Sequence, residues 1–167
     1  LQRWQKSPYV PSLLDSFQEV DGYPGELYFF SLVDPAAPTL TQRGQDATWE
    51  LSARLAYARE ALLGLNRFHQ PDDPAQGYLL HRGITPTSLR VRHNGRPLFT
   101  DFRLSRLAEA QSISAAPVNF GAMTPFVAPE LLTGDLAAAT PQSDVYALCA
   151  SLATLFAATD PQSQPVR

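Results

Sequence analysis

The chain has 167 residues, of which 44% are hydrophobic and 17% charged, and its formal net charge is −3. This length and composition predict a soluble globular protein with one domain or parts of two, and they exclude a disordered or strongly basic chain. We expect no membrane span, because no apolar run approaches roughly 18 residues. We expect no signal peptide, because no charged segment followed by an apolar one opens the chain. The single cysteine, Cys149, excludes an internal disulfide and favours a reducing, cytoplasmic location.

The first part of the chain predicts a helix end and two strands. Residues 2–6 are typical of the last turn of a helix. Residues 10–20 carry spaced apolar side chains and predict a strand, and a turn follows at residues 22–25. The aromatic-rich run ELYFFSLV at 26–33 is typical of a buried strand. The proline-rich residues 34–38 then predict a stiff connector.

The clearest helix in the sequence follows Thr48, its predicted N-cap, whereas residues 40–44 are too few to assign. Apolar residues and one histidine recur at intervals of three and four over about twenty residues, which is typical of an amphipathic helix with one packed face. The run PDDP at 71–74 ends this helix. The residues of the stripe are Leu51, Leu55, Ala58, Leu62, Leu65 and His69.

The stretch 81–101, HRGITPTSLRVRHNGRPLFTD, predicts a loop, a strand, a turn and a second strand that ends on an acid. Apolar and basic residues alternate over 89–92, as in a half-buried strand. Asn94-Gly95 is typical of a type I′ turn, in which both central residues have positive φ. We therefore expect an acid (Asp101), a hydroxyl (Ser88) and several arginines to surround one hairpin.

The last third of the chain predicts a loop, a kinked segment and a buried helix. Residues 107–119, rich in serine and alanine, are typical of a mobile loop. The run TPFVAPE at 124–130 predicts a kinked segment that leads into a short helix at 130–132. Ser143 is the predicted cap of a helix over 144–157. Its predicted inward side chains are Val145, Leu148, Leu152, Leu155 and Phe156.

The order of these motifs resembles that of the protein kinase family over nearly the whole chain. HRGITPTSLRV at 81–91 is similar to the catalytic loop H-R-D-x-x-x-x-N, TDFR at 100–103 to the D-F-G motif, and TPFVAPE to the A-P-E segment. The helix after Thr48 resembles the long helix before the catalytic loop, and the helix over 144–157 resembles the central helix of the large lobe.

The resemblance implies an α+β, protein-kinase-like fold. Residues 1–34 would form the end of the small β-rich lobe up to the hinge, and residues 35–167 the first half of the helical large lobe. The Gly-rich loop and the strand lysine of a kinase would then lie before Leu1, and its last helices after Arg167. We expect the chain to be part of a longer polypeptide, similar to degenerate kinase-like domains of large bacterial multidomain proteins.

The loop at 81–88 differs from the family pattern at the positions that act in catalysis in that family. Gly83 stands in place of the catalytic Asp, Thr85 in place of a Lys near the γ-phosphate, and Ser88 in place of the Asn for the second Mg²⁺. Arg103 replaces the Gly that follows Asp101-Phe102. Because a general base contributes roughly 10²–10⁴-fold, these departures predict a pseudokinase with a regulatory or scaffolding role. The alternatives are a divergent active Ser/Thr kinase and a structural interaction module without nucleotide.

If nucleotide binding is retained, the resemblance implies ATP and Mg²⁺ as cofactors. Ser31 would stand at the back of the adenine pocket, and Leu32, Val33 and Asp34 would form the hinge backbone. Leu89 would be a further contact of ATP. Asp101 would hold Mg²⁺, with Ser88 as a weaker ligand. The alternative for Asp101 is an ion pair with Arg103 or Arg82, since a guanidinium competes for the same carboxylate.

The resemblance implies supporting roles for four residues around the loop. His81 would pack against Phe102, and Asp144 would accept backbone hydrogen bonds from the catalytic loop. Glu130 would pair with an arginine beyond the chain. Arg82 would receive a phosphate, or else be a solvated surface residue. The candidate phosphorylation sites are Ser112, Ser114 and Thr124.

The distribution of basic residues and histidines indicates neither a nucleic-acid interface nor a metal cluster. Six of the thirteen basic residues lie between 82 and 106, but the net charge of the chain is −3. Residues His69, His81 and His93 are too far apart in sequence to predict a metal site. The expected partners are flanking domains of the same polypeptide and other proteins, not a membrane or nucleic acid.

Overall fold

The computed structural model describes residues 7–20, 27–33, 37–73, 75, 77–107 and 117–157. The described parts form an α+β arrangement of three α-helices and three two-stranded antiparallel sheets. The strands are β1 (Leu13–Val20), β2 (Leu27–Val33), β3 (Leu79–Leu80), β4 (Leu89–Val91), β5 (Pro97–Phe99) and β6 (Arg106–Leu107). The helices are α1 (Leu40–Gly44), α2 (Leu51–His69) and α3 (Pro141–Ala157), and 3₁₀ turns span Phe102–Leu104, Gly121–Phe126, Pro129–Leu131 and Leu136–Ala138.

Several predictions concern residues outside the described ones. These are the helix end at 2–6, the turn at 22–25, most of the loop at 107–119, Asp34, and the serines 112 and 114. The two early strands are confirmed: β1 and β2 pair antiparallel from Leu13 opposite Val33 to Val20 opposite Leu27. No helix among the described residues is long and apolar enough to cross a bilayer.

Helix α1 occupies the residues that were left unassigned. The Gln42 N–H donates to Thr39 Oγ1 at 3.2 Å, and the Thr39 N–H donates to Gln42 Oε1 at 2.9 Å. This reciprocal pair is a capping box, which supplies partners to backbone donors that a helix start leaves free. The T-x-x-Q spacing at 39–42 is the sequence signal for this helix.

Helix α2 begins at Leu51, so the predicted cap at Thr48 is wrong. The Thr48 N–H and hydroxyl both donate to Asp46 Oδ1, at 2.8 and 2.6 Å. Asp46 thereby holds Thr48 in a turn that precedes the helix, because a short acidic side chain readily accepts from a backbone N–H two residues on. The predicted end of the helix, before the PDDP run, is confirmed.

The packed face of α2 overlaps the predicted stripe only in part, since Leu65 is buried and Ala58 packs against the core. Leu51 and Leu55 are 57% and 55% exposed, and Leu62 is exposed as well. Apolar side chains extend around about half of the helix, and the larger aromatic ones pack on the hairpin and α3. Gly64 lets Tyr9 pack closely against the helix, since a Cβ at position 64 would lie 2.7 Å from Tyr9 Cδ1. The buried residues are Arg54, Tyr57, Ala61, Gly64, Leu65 and Phe68.

Strands β4 and β5 form the predicted hairpin. Leu89 pairs with Phe99 and Val91 with Pro97, and these residues are buried while Arg90 is half-buried. The type I′ turn is wrong, however, because only Gly95 has positive φ (76°). The Gly95 N–H donates to Arg92 O at 2.8 Å and the Arg92 N–H to Arg96 O at 2.9 Å. This is a three-residue loop with glycine at its left-handed position.

Helix α3 begins at Pro141, so Ser143 lies inside it and not at its cap. Ser143 Oγ accepts from the Thr140 N–H at 3.1 Å, which satisfies a backbone donor ahead of the helix. Of the predicted inward residues, Leu148, Leu152 and Leu155 are buried and Phe156 is half-buried. Val145 is 42% exposed, contrary to the prediction, because one face of α3 is not covered by the described residues.

Two apolar clusters frame the loop that precedes β4. The first joins α2, the hairpin and α3, and includes Ile84 from the loop itself. The second gathers around the 3₁₀ turns and includes Leu80, the residue just before the loop. The 81–88 loop therefore passes from one cluster to the other, and both clusters hold it in place.

Candidate functional site

The site is built where the 81–88 loop meets the end of the hairpin. The Thr100 N–H and hydroxyl both donate to Ser88 O at 2.8 Å, which brings Asp101 beside the loop. Among the described residues, Arg82 and Asp101 are the non-glycine residues with positive φ, at 60° and 62°. Left-handed backbone costs an L-residue roughly 1–2 kcal/mol, and such strain tends to concentrate at functional sites.

Asp144 fixes the loop to helix α3. Its side chain is 1% exposed, and it accepts from the backbone N–H groups of His81 and Arg82, each at 2.7 Å. These are the backbone contacts that the resemblance implied. The third partner, His69 Nε2 at 3.2 Å, was missed, because helix α2 and helix α3 are far apart in sequence. The carboxylate thus receives three donors and holds Arg82 in its strained conformation.

His81 is fully buried and serves as a packing residue. Its Nε2 lies 3.0 Å from Thr100 O, so this nitrogen carries the proton and donates. Its ring centre lies 4.7 Å from that of Phe102. Burial lowers the pKa of His81, although the nearby Asp144 carboxylate opposes the shift. Nδ1 has no hydrogen-bond partner among the described atoms.

The lowered pKa of His81 predicts a loss of stability in mild acid. Because the folded state binds this proton less readily than the unfolded chain, the stabilisation is complete above the unfolded pKa of about 6.5 and falls as the pH decreases below it. The slope is at most about 1.4 kcal/mol per pH unit. Urea unfolding between neutral pH and mild acid should show this slope in the parent and in His93→Asn. His81→Leu should flatten it, and an unchanged slope in His81→Leu would contradict the assignment.

Arg82 is not a solvated surface residue. It is 9% exposed, and its guanidinium donates to the carbonyl oxygens of Leu136 at 3.2 Å and Ser105 at 3.4 Å, and also to that of Leu104. Burial, together with the charge of Arg106, lowers the pKa of Arg82. A phosphate at this position would have to compete with three carbonyl groups, and its capture stays a prediction.

The hydroxyl groups of the loop are engaged within the loop. Ser88 Oγ is buried, accepts from the Thr85 N–H at 2.9 Å, and lies within donating distance of the carbonyl oxygens of Thr85 and Gly83 (3.1 and 3.2 Å). Thr85 Oγ1 in turn accepts from the Ser88 N–H at 3.2 Å. The Ser88 N–H and the Leu89 N–H also donate to Thr85 O, each at 3.1 Å, so backbone and side-chain hydrogen bonds together hold this turn.

Gly83 is not required by the shape of the loop. It has no positive φ, and a Cβ built there would meet Met123 and Leu104 side chains at 3.6 and 3.7 Å, which are ordinary contacts. A Cβ at position 83 would therefore require no movement of the backbone. The absence of a side chain at this position is not imposed by the backbone conformation.

Asp101 forms a two-pronged ion pair with Arg103. Arg103 Nη2 donates to one carboxylate oxygen at 2.8 Å, and Nε donates to the other. The hydrogen bond raises the pKa of Arg103. Of the two ion-pair alternatives for Asp101, the structure contains the one with Arg103. Both oxygens of Asp101 therefore accept from one guanidinium, which is the geometry that carboxylate–arginine pairs favour.

The side chains present do not fit a magnesium site in this arrangement. Mg²⁺ needs free oxygen ligands, but Asp101 is paired with Arg103, and Ser88 Oγ is buried and bonded within the loop. Among the described residues, no group of three His, Cys, Asp or Glu could hold a metal ion. Leu89 is fully buried in the core, and the side chains of 31–34 lie outside the described ones, so their contacts with ATP stay predictions.

The remaining predicted residues lie on the segment that leads into α3. Glu130 accepts from Ser143 Oγ at 2.5 Å, and this hydrogen bond lowers the pKa of Glu130. An arginine partner for Glu130 stays a prediction. Thr124 is exposed, and its hydroxyl donates to Gly121 O at 2.6 Å. It is accessible for modification, unlike Thr85 and Ser88 in the buried loop.

Comparison with known proteins relates part of the chain to protein kinases. No protein-family model matches the chain. A stretch of 73 residues is 41% identical to the serine/threonine-protein kinase PknK of Mycobacterium tuberculosis and to the protein of that name in Mycobacterium bovis. The match covers 44% of this chain and 6% of each relative, so it spans a small part of their length. This similarity supports a kinase-like relationship.

Proposed function

We propose that this chain is a protein-kinase-like domain that acts as a pseudokinase in a larger polypeptide. Residues 1–34 would belong to the small lobe and hinge, and residues 35–167 to the large lobe. Its role would be to bind a partner or a nucleotide and to transmit a conformation to flanking domains. The partial similarity to PknK and the order of the motifs support the kinase-like part of the proposal.

The supporting architecture of the loop favours a kinase-like origin. In a kinase the loop backbone must be rigid, because phosphoryl transfer relies on positioning and electrostatics. Here a buried carboxylate, Asp144, holds the backbone of His81 and Arg82. His81 packs on Phe102 and bonds to Thr100 O. A loop anchored this firmly is suited to present side chains at fixed positions.

One observation carries the proposed loss of catalysis: the catalytic base is missing at position 83 while the carboxylate of Asp101 is already paired. Position 83 has no side chain, so no group there accepts a hydroxyl proton. The acid that would bind metal, Asp101, has both oxygens paired with Arg103. The base is therefore absent and the metal-binding carboxylate is occupied at the same time.

A phosphotransfer assay on the full-length protein tests the proposal. We expect no transfer from ATP, to the protein itself or to an acceptor protein, by the parent and by Asp101→Ala alike. Gly83→Asp adds a Cβ that the loop accepts, but it should show no gain in transfer while Asp101 stays paired with Arg103. Transfer by the parent that disappears in Asp101→Ala would overturn the pseudokinase assignment.

The second candidate, a divergent active Ser/Thr kinase, rests on the exposure of the Asp101–Arg103 pair. The Arg103 side chain is 78% exposed, so the pair can open at little cost in free energy. Thermal-shift measurements with ATP, with and without Mg²⁺, separate the candidates. A shift that requires Mg²⁺ favours the active kinase, a Mg²⁺-independent shift favours a nucleotide-binding pseudokinase, and no shift favours an interaction module.

A further inference from the structure

A cleft of about 830 Å³ opens on the side of the hairpin that carries its turn. The described residues that line it do not include the 81–88 loop or Asp101, so it is separate from the candidate site. Its walls come from four parts of the chain: the approach to β1, the connector before α1, the region from α1 to α2, and the hairpin. Their apolar members are Pro11, Ala37, Pro38, Ala53, Val91 and Leu98.

One wall of the cleft is a firmly held tryptophan. Trp49 is buried, with its ring edge-on to Tyr57 at a centroid distance of 5.6 Å. The guanidinium groups of Arg43 and Arg54 both lie 5.5 Å from its ring centre. Cations at this distance are attracted to an aromatic ring. The aromatic wall is therefore pre-organised and does not have to be ordered when a ligand binds.

The titratable side chains that line the cleft are all basic. They are Arg43, Arg92 and His93, and no lining residue among the described ones is acidic. Arg43 is paired with Asp46. Arg92 Nη2 lies 3.5 Å from Val10 O, and no described carboxylate forms an ion pair with it. The cleft thus contains a half-buried cation whose charge is not compensated by the described residues, in a protein of net charge −3.

We propose that this cleft docks an acidic segment of a partner protein, with an apolar side chain placed against Trp49. Complementary charge steers such an encounter, and a buried apolar anchor supplies the affinity. The volume lies near the upper end of the usual range for ligand sites, about 300–1,000 Å³. Its charged groups are long surface side chains and not convergent buried groups, which favours an extended chain over a small molecule. This inference does not depend on the kinase-like assignment.

A peptide-binding titration tests the proposal with the whole chain. The probe is a fluorescent ten-residue peptide with two leucines among glutamates, and its control has lysines in place of the glutamates. We expect saturable binding of the acidic peptide, weakening with added salt, and none of the basic one. Arg92→Glu and His93→Glu should each weaken binding about tenfold or more. Arg59→Glu makes the same charge change on the exposed face of α2, outside the cleft, and should bind as the parent does.

Four results of the binding titration would overturn the proposal. They are equal binding of the two peptides, no binding of the acidic peptide, parent-like affinity in both Arg92→Glu and His93→Glu, and competition by benzoate as strong as by unlabelled peptide. The last would reassign the cleft to a small anionic molecule. Concentration-dependent self-association that Arg92→Glu abolishes would reassign it to a second copy of the chain. Circular dichroism of each variant separates lost binding from lost folding.

Discussion

Asp144→Ala is expected to destabilise the fold by about 3–5 kcal/mol. The carboxylate is 1% exposed and accepts from the backbone of His81 and Arg82 at 2.7 Å and from His69 at 3.2 Å. Its removal leaves two buried N–H groups without partners, and each unsatisfied group costs roughly 1–3 kcal/mol. The strained backbone of Arg82 also loses the contact that holds it. Urea or thermal unfolding of the variant beside the parent measures this loss.

Two further variants show whether the loss comes from the buried acceptor. Asp144→Asn keeps the shape of the side chain but turns an amide NH₂ toward one of two donors, so we expect an intermediate loss. Asp72→Ala removes an exposed carboxylate whose ion pair with Arg67 is a surface pair, and we expect a change below about 1 kcal/mol. If Asp144→Ala were as stable as Asp72→Ala, the anchoring role would be refuted.

The hairpin was predictable because its signals are local. Alternation over 89–92 follows directly from the two-residue period of a strand, and a glycine in the turn satisfies the one left-handed position that the loop requires. The turn type was not predictable from Asn94-Gly95 alone. The Asn94 side chain accepts from the Arg96 N–H at 3.1 Å, and Asn94 keeps a negative φ, which selects the longer loop.

The orientation of α2 depended on tertiary packing. The leucines at 51, 55 and 62 repeat with helical period, yet their side chains are exposed, and the buried face lies about a quarter turn away. Periodicity identifies a helix, but it does not choose between adjoining apolar faces. That choice follows from which partners the chain brings alongside, here Tyr9, Phe99 and the side chains of α3.

The candidate site was predictable in its residues and in some of its contacts. Motif spacing indicated His81, Asp101 and Asp144, but the left-handed conformations of Arg82 and Asp101 result from the surrounding structure. The His69 contact joins residues 75 positions apart. The pairing of Arg103 with the carboxylate of Asp101, for which a metal ion would compete, was visible in the sequence. Only one residue separates Arg103 from Asp101, so this contact does not depend on the tertiary fold.

Under the function proposed above, the fold around the loop matters more than catalytic side chains, and buried polar groups hold that part of the fold. Asp144 holds the loop through the backbone N–H groups of His81 and Arg82, and this contact does not involve the side chain at position 83. We expect selection on such a domain to act on the anchors, the exposed segments and the cleft beside Trp49.

Arg54→Ala is the second substitution for which we expect a large effect, a loss of about 3–5 kcal/mol. Arg54 is 3% exposed and donates to four backbone carbonyls: Leu155 at 2.6 Å, Trp49 at 2.8 Å, Asp46 at 3.3 Å and Gly44 at 3.4 Å. These acceptors lie at the end of α3 and around the turn between α1 and α2. Alanine would leave buried carbonyls unpaired and open a cavity beside Trp49, and both effects are costly.

Two further arginine variants of α2 show whether the loss of stability comes from the buried hydrogen bonds of Arg54. Arg59→Ala removes a side chain that is 73% exposed and pairs only with Glu60 among the described residues, so unfolding should change by less than about 1 kcal/mol. Arg54→Lys keeps the charge but cannot reach four acceptors with one ammonium, and we expect it to recover only part of the loss. Loss of the packing around Trp49 should also shift the tryptophan emission of Arg54→Ala to longer wavelength under native conditions. Equal unfolding free energies for Arg54→Ala and Arg59→Ala would show that the carbonyl cluster is satisfied without the guanidinium.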